Sequence, residues 1–181
     1  MRNFNSFIVI LSLLLTSCVA EESSKTKDYN PEQKLKELGI QLSSPSSPVA
    51  NYVNAVRTGN LVFISGKGPL KSDGNYVLGK LGENLTLEQG YEAARLTAIN
   101  LISTLKASIG DLSKVKRIVR VTGMVNATSD FKDHPKVVNG CSDLLVEVFG
   151  DNGKHTRAAV GMNSLPLNIA VEIDMIVEVY D

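Results

Sequence analysis

The sequence predicts an α+β fold in which a mixed β-sheet carries two helices on one face. Three observations lead there. A long amphipathic segment with a capped start lies between β-rich runs, the last run alternates strictly between apolar and polar residues, and the elements follow in the order ββ-α-β-α-ββ. The 181 residues bound this to one domain of ordinary size with a short appendage. A hydrophobic fraction of 43% and a charged fraction of 21% mark a globular chain, and exclude disorder throughout and a multi-span membrane protein. Lys+Arg and Asp+Glu both number 19, so the net charge is zero, which argues against a dedicated nucleic-acid binder. Two cysteines and two histidines argue against a structural zinc site or a disulfide framework.

Residues 1–17 read as a signal peptide. Arg2 precedes the apolar run Phe7–Leu15, which falls well short of the roughly 20 residues a spanning helix needs. An ordinary cleaved signal with an incidental cysteine is one reading. The ending Leu15-Thr16-Ser17-Cys18, however, resembles the bacterial lipobox. That resemblance implies that Cys18 becomes the first residue after cleavage and carries lipid, so that the protein is anchored to a membrane of the cell envelope. In a Gram-negative host Val19, rather than aspartate, then favours the periplasmic face of the outer membrane. Residues 18–48 form a polar tether with a short helix at Pro31–Leu38, Pro31 lying in its first turn and Gly39 at its end.

The domain proper is expected over 49–181. Tyr52–Val56 and Leu61–Ile64, joined at Thr58-Gly59-Asn60, suggest a hairpin, and Lys71–Leu81 offers a further short strand around Asp73-Gly74. Thr86-Leu87-Glu88-Gln89 is a capping-box pattern, and the apolar stripe behind it ends at Ile109 before Gly110. Val115–Val125 is a long strand. Pro135–Phe149 is a second helix with Val138, Leu144, Leu145 and Val148 directed inward and Cys141 as a small buried hydrophobe. Thr156–Met162 and Ile169–Val179 are the last two strands, separated at Leu165-Pro166. With both helices on one side, the other sheet face has no partner within the chain, which predicts self-association.

The common nucleophile, phosphate-loop and metalloprotease motifs do not occur in the chain. Gly66-Lys67-Gly68-Pro69 reads as a strand end and turn. Arg157 is the conspicuous residue, a planar bidentate donor in a strand otherwise made of small and apolar residues. Its partner is either a carboxylate of the protein, Glu172 foremost, or the carboxylate of a small molecule. His155 lies two residues before it, on the same face by strand alternation, or is simply a solvated turn residue. Glu172 and Asp174 share a face opposite Val171, Ile173 and Met175.

Thr156-Arg157-Ala158-Ala159-Val160, Leu165-Pro166 and Val171-Glu172-Ile173-Asp174 together resemble the C-terminal signature of the RidA (YjgF) family. Gly59-Asn60-Leu61-Val62-Phe63-Ile64-Ser65-Gly66 resembles its second strand, and Tyr52 matches a tyrosine of its N-terminal motif. The resemblance implies a chorismate-mutase-like sandwich, assembled as a homotrimer with clefts between subunits. It implies hydrolysis of reactive enamines and imines to 2-keto acids and ammonia without metal or organic cofactor. By that resemblance Arg157 holds the substrate carboxylate, Glu172 orients or activates water, and Tyr52, Ser65 and Gly66 line the cleft. Binding of a small carboxylate without turnover is the alternative, and endoribonuclease activity, described for some relatives, a third. Three places depart from the family pattern: Lys67 stands in place of a common glutamine, Gly161 where some deaminases carry an acid, and Ala50-Asn51-Tyr52-Val53 in place of a proline-containing entry to the tyrosine motif.

Overall fold

The computed structural model describes residues 29–48 and 50–181, so the signal segment and Cys18 lie outside the described residues. Among the described residues no helix is long and apolar enough to cross a membrane. The elements run α1 (Pro31–Glu37), β1 (Ala55–Thr58), β2 (Leu61–Lys67), α2 (Leu87–Ile109), β3 (Val115–Asn126), α3 (His134–Phe149), β4 (Thr156–Met162) and β5 (Val171–Val179). The sheet order is β1-β2-β5-β3-β4, with β3 and β4 parallel and the other neighbours antiparallel. The expected mixed sheet is thus present.

Local sequence accounts for α2. The Thr86 backbone N–H donates to Gln89 Oε1 (2.8 Å) and the Gln89 N–H donates to Thr86 Oγ1 (3.3 Å), closing the capping box. Gly110, at φ 82°, stops the helix. Ala94, Ala98, Leu101, Ile102 and Leu105 are fully buried along one stripe, and Val138, Leu144, Leu145 and Val148 of α3 meet them. The two helices approach so closely that Gly140 of α3 lies against the backbone of Tyr91 and Arg95 in α2.

Both helices cover one sheet face. Along β5, Val171, Ile173, Met175, Val177 and Val179 are buried beneath them, while Glu172, Asp174, Ile176 and Glu178 alternate onto the other face. Val56 and Phe63 stay 54% and 41% exposed on the hairpin, and Val160 and Met162 are exposed on β4. The helix α1 starts at Asn30, whose side chain accepts from the Glu32 and Gln33 amides, and buries Leu35 against the core. Tyr29 donates to the Glu147 carbonyl (2.5 Å) and Lys106 pairs with Glu32, so this segment is docked on the domain.

Three boundaries differ from the sequence expectation. Pairing in the hairpin begins at Ala55↔Ile64, leaving Tyr52 ahead of β1. The stretch after β2 forms a turn at Asp73-Gly74 but only isolated bridges, Leu70↔Tyr76 and Leu78↔Ile169, and no strand. Leu167 and Asn168 adopt positive φ (55° and 59°) in a turn after Pro166, which delays β5 to Val171.

Candidate active site

The bare sheet face carries a cleft of about 550 Å³ where β1, β2 and β5 adjoin. Tyr52, Ser65, Gly66, Glu172 and Asp174 line it, with Val56, Phe63 and Ile176 as its apolar wall. Four of the five sequence candidates therefore meet. Their positions follow from pairing. A bulge between Ile64 and Lys67 interrupts the β2–β5 ladder opposite Ile173 and Met175, and it brings the backbone of Gly66 onto the Glu172 side chain. A Cβ at residue 66 would overlap the Glu172 carboxylate, so this approach requires glycine. Ser65 donates its hydroxyl to the Val53 carbonyl (2.7 Å), and its amide donates to the Asn54 carbonyl (3.0 Å), which fixes the segment bearing Tyr52 beside the cleft.

Glu172 is half-buried. Burial first, and the neighbouring Asp174 carboxylate second, raise its carboxyl above the ordinary glutamate range. Among the described residues it has neither a salt bridge nor a side-chain hydrogen bond. Such a carboxyl takes up and gives back a proton closer to neutral pH than a solvated one. No group of His, Cys, Asp and Glu among the described residues is arranged to hold a metal ion.

Arg157 lies elsewhere. Register places it beside Val121 of β3, which in turn faces Met175, and both of these are buried under the helices. Glu172 is level with Met124 and thence Val160, on the opposite face. The two residues are on opposite sides of one sheet, which removes the reading of a structural ion pair between them. It also means that a single protomer does not bring the guanidinium into the cleft. Arg157 instead sits exposed at the outer strand β4, its Nη1 donating to Asn139 Oδ1 (2.8 Å) and Ser142 Oγ (3.0 Å) of α3. Among the described residues no carboxylate lies within 4.0 Å of it, and its Nε and Nη2 donors have no protein partner.

His155 is a half-buried member of the same cluster, not a solvated turn residue. Its Nε2 is 3.0 Å from Ser142 Oγ and its Nδ1 is 2.6 Å from the Gly153 carbonyl. Placing His155 and Arg157 on one face was correct, and Ser142 is where they meet. Asn139 and Ser142 were missed in the sequence. The available signal was two uncharged polar residues at i and i+3, one turn apart on the same side of the helix. Cys141 between them is fully buried, and burial pushes its thiol up to about 12, which makes it the small core residue expected. Lys67 points away from the cleft and donates to Asn54 Oδ1. It lines a separate cavity of about 30 Å³ with Asn100, Ser103 and Thr104. The ring of His134 covers Gly161, filling the space a side chain there would need.

A mixed five-stranded sheet with two long helices on one face, and a carboxylate cleft on the other, defines a chorismate-mutase-like protein. The family model described as "YjgF/chorismate_mutase-like, putative endoribonuclease" matches residues 32–179, and the chain belongs to that family. Protein TCP17 of Trypanosoma cruzi is 41% identical over 145 residues, covering 80% of this chain and 91% of that protein. The crystal structure of Atu1372 from Agrobacterium tumefaciens is 42% identical with a TM-score of 0.78, over 83% of this chain and 92% of that one. The crystal structure of "a putative endoribonuclease" from Shewanella oneidensis MR-1 is 34% identical with a TM-score of 0.80, over 83% of this chain and 99% of that one.

Proposed function

We propose that the cleft hydrolyses small carboxylate-bearing enamines or imines to 2-keto acids and ammonia, and that Arg157 of a neighbouring copy completes it. The observation that carries this reading is the half-buried Glu172 carboxyl, unpaired among the described residues, at the wall of an open cleft of about 550 Å³. The volume admits a metabolite of a few heavy atoms with its attacking water and leaves room for a side chain of a neighbouring copy to enter. Arg157 supports the second half of the reading. It stands at the edge of the sheet, pinned through Nη1 alone, and presents Nε and Nη2 as a fork fitted to a carboxylate. The apolar residues on the bare face, Val56, Phe63, Val160 and Met162, would be covered by association as a homotrimer.

The chemistry needs little more than positioning. Water adds to the carbon of the C=N bond while the Glu172 carboxylate accepts its proton. That proton passes to the nitrogen to give a carbinolamine. The remaining hydroxyl proton then moves to the same nitrogen, the C–N bond breaks, and ammonia leaves as the C=O bond forms. An enamine such as 2-aminoacrylate first becomes the imine by shifting a proton from nitrogen to its terminal carbon. The Arg157 guanidinium holds the substrate carboxylate through both steps. Ammonia release from 2-aminoacrylate tests this, with loss on Arg157→Ala and on Glu172→Ala as the expected result. A small carboxylate that stabilises the protein with no ammonia released would make it a binding module instead. The endoribonuclease reading is disfavoured by Glu172 and Asp174, two carboxylates that would repel the phosphates of an RNA strand entering the cleft.

We propose further that Cys18 is lipidated and tethers the domain to the cell envelope. Intact-mass measurement of the membrane fraction tests it. An acyl mass lost on Cys18→Ser supports the anchor, and an unmodified cysteine or an uncleaved signal refutes it.

A further inference from the structure

Three elements converge on Arg157. Asn139 and Ser142 come from one turn of α3, His155 from the residue before β4, and Gly153 from the turn between them. The donors and acceptors fit in only one way. The Gly153 carbonyl can only accept, so His155 Nδ1 carries the hydrogen at 2.6 Å. In a neutral ring Nε2 is then an acceptor, and the Ser142 hydroxyl donates to it at 3.0 Å. The Ser142 oxygen is left to accept from Arg157 Nη1, also at 3.0 Å. A protonated ring reverses this arrangement. Nε2–H then points at Ser142, whose own hydrogen loses its acceptor, and two cations are held across one oxygen.

We propose that Ser142 and His155 are positioning residues that latch the Arg157 guanidinium only while the imidazole is neutral, so that acid releases the carboxylate anchor. The proposal rests on the reading of Arg157 as that anchor. The surrounding charges favour the neutral ring. Burial foremost, and the nearby Arg157 charge, lower the His155 pKa, with the Gly153 carbonyl acting in the other direction. From α3 the ring faces the Ser142 hydroxyl, Cys141 beside it is an un-ionised thiol, and Asp143 and Glu147 are engaged by Tyr91 and Arg95. Next to the turn, Asp151 and Lys154 pair with each other at 2.7 Å. On β3, Arg120 is exposed on the opposite face from buried Val121. Among the described residues no carboxylate near the ring offsets a proton on it. Because the folded-state pKa is lowered, the latch is intact at neutral pH and above, and is lost as pH falls through that value.

The test has a ligand-free arm and a ligand arm. The chain has two histidines, so the ring of His155 can be followed by NMR through a pH titration. Its midpoint is expected below the ordinary histidine value, with the hydrogen on Nδ1, and it is expected to rise in both Arg157→Gln and Ser142→Ala. The ligand arm measures pyruvate affinity from about pH 7.5 down to about one unit below the His155 midpoint that the titration gives. Wild type is expected to hold its affinity above that midpoint and to weaken about tenfold by the lower end of the range. His155→Gln flattens the profile, Ser142→Ala is weak throughout, and Ser142→Thr, which keeps the hydroxyl, restores the pH-dependent profile. A His155 titration unmoved by either substitution, or an unaltered pH profile in His155→Gln, overturns the latch. If the titration shifts as expected and no variant or wild type binds pyruvate, the latch is supported and the carboxylate reading of the site falls.

Discussion

Two glycine-to-alanine substitutions should give opposite outcomes, because an added methyl meets different kinds of atoms at the two sites. At Gly66 the new Cβ would lie 3.0 Å from Cδ and 3.1 Å from Cγ of Glu172 and would overlap Oε1. These atoms are the far end of a side chain facing an open cleft, and they can withdraw by about 1 Å. Stability should therefore fall by less than about 1 kcal/mol, a Tm change within roughly 2–4 °C for a domain of this size. Turnover should fall on the order of 100-fold, the usual consequence of misplacing a reacting group by that distance. At Gly140 the Cβ would overlap the Tyr91 carbonyl and lie 3.1 Å from the Arg95 nitrogen, both backbone atoms of α2. Relief requires the two helices to separate, for which overpacking costs suggest about 3 kcal/mol, or roughly 6–12 °C in Tm. Thermal unfolding and ammonia release, measured on both variants, read the two effects separately. A Gly66→Ala protein as active as wild type would refute the placement of Glu172 at the reaction. A Gly140→Ala protein of unchanged Tm would refute the close helix contact.

Two further outcomes follow from single side chains. Thr86→Ala opens the capping box of α2 and should cost about 1 kcal/mol, a Tm loss of roughly 2–4 °C by calorimetry, whereas Thr86→Ser should be near neutral. Cys141, buried and with its thiol pushed up to about 12, should resist a maleimide in the native protein and react only in denaturant. Rapid native labelling would contradict its burial.

The parts of the fold that were legible in the sequence are those set by neighbours in the chain. Thr86 and Gln89 are three residues apart and cap α2 whatever the rest of the chain does. The alternation from Val171 to Val179 declares one buried and one open face without reference to a partner strand. The segment near Asp73-Gly74 was overestimated because its turn is real while its pairing amounts to isolated bridges. Leu167 gave no warning of its positive φ, while Asn168, a residue type enriched in that region, gave only a weak one. In the site, alternation correctly joined His155 with Arg157, and Glu172 with Asp174. The relation between those two pairs depends on β3 lying between β4 and β5, through Val121↔Arg157 and Met124↔Glu172. That register is non-local, so the chain order alone could not show that the pairs occupy opposite faces. Asn139 and Ser142 became meaningful only once α3 was seen to lie against Arg157.

The central claim, a cleft shared between copies of the chain, is tested most directly by complementation. Arg157→Ala and Glu172→Ala proteins, each inactive alone, are co-expressed with different tags, and the mixed oligomers are purified through both. If Glu172 of one protomer works with Arg157 of the next around a trimer, every mixed trimer pairs two intact residues at one of its three interfaces, and about a third of the wild-type ammonia release returns. If both residues serve the same protomer, every site lacks one of them. Mixed oligomers as inactive as their parents would contradict the account.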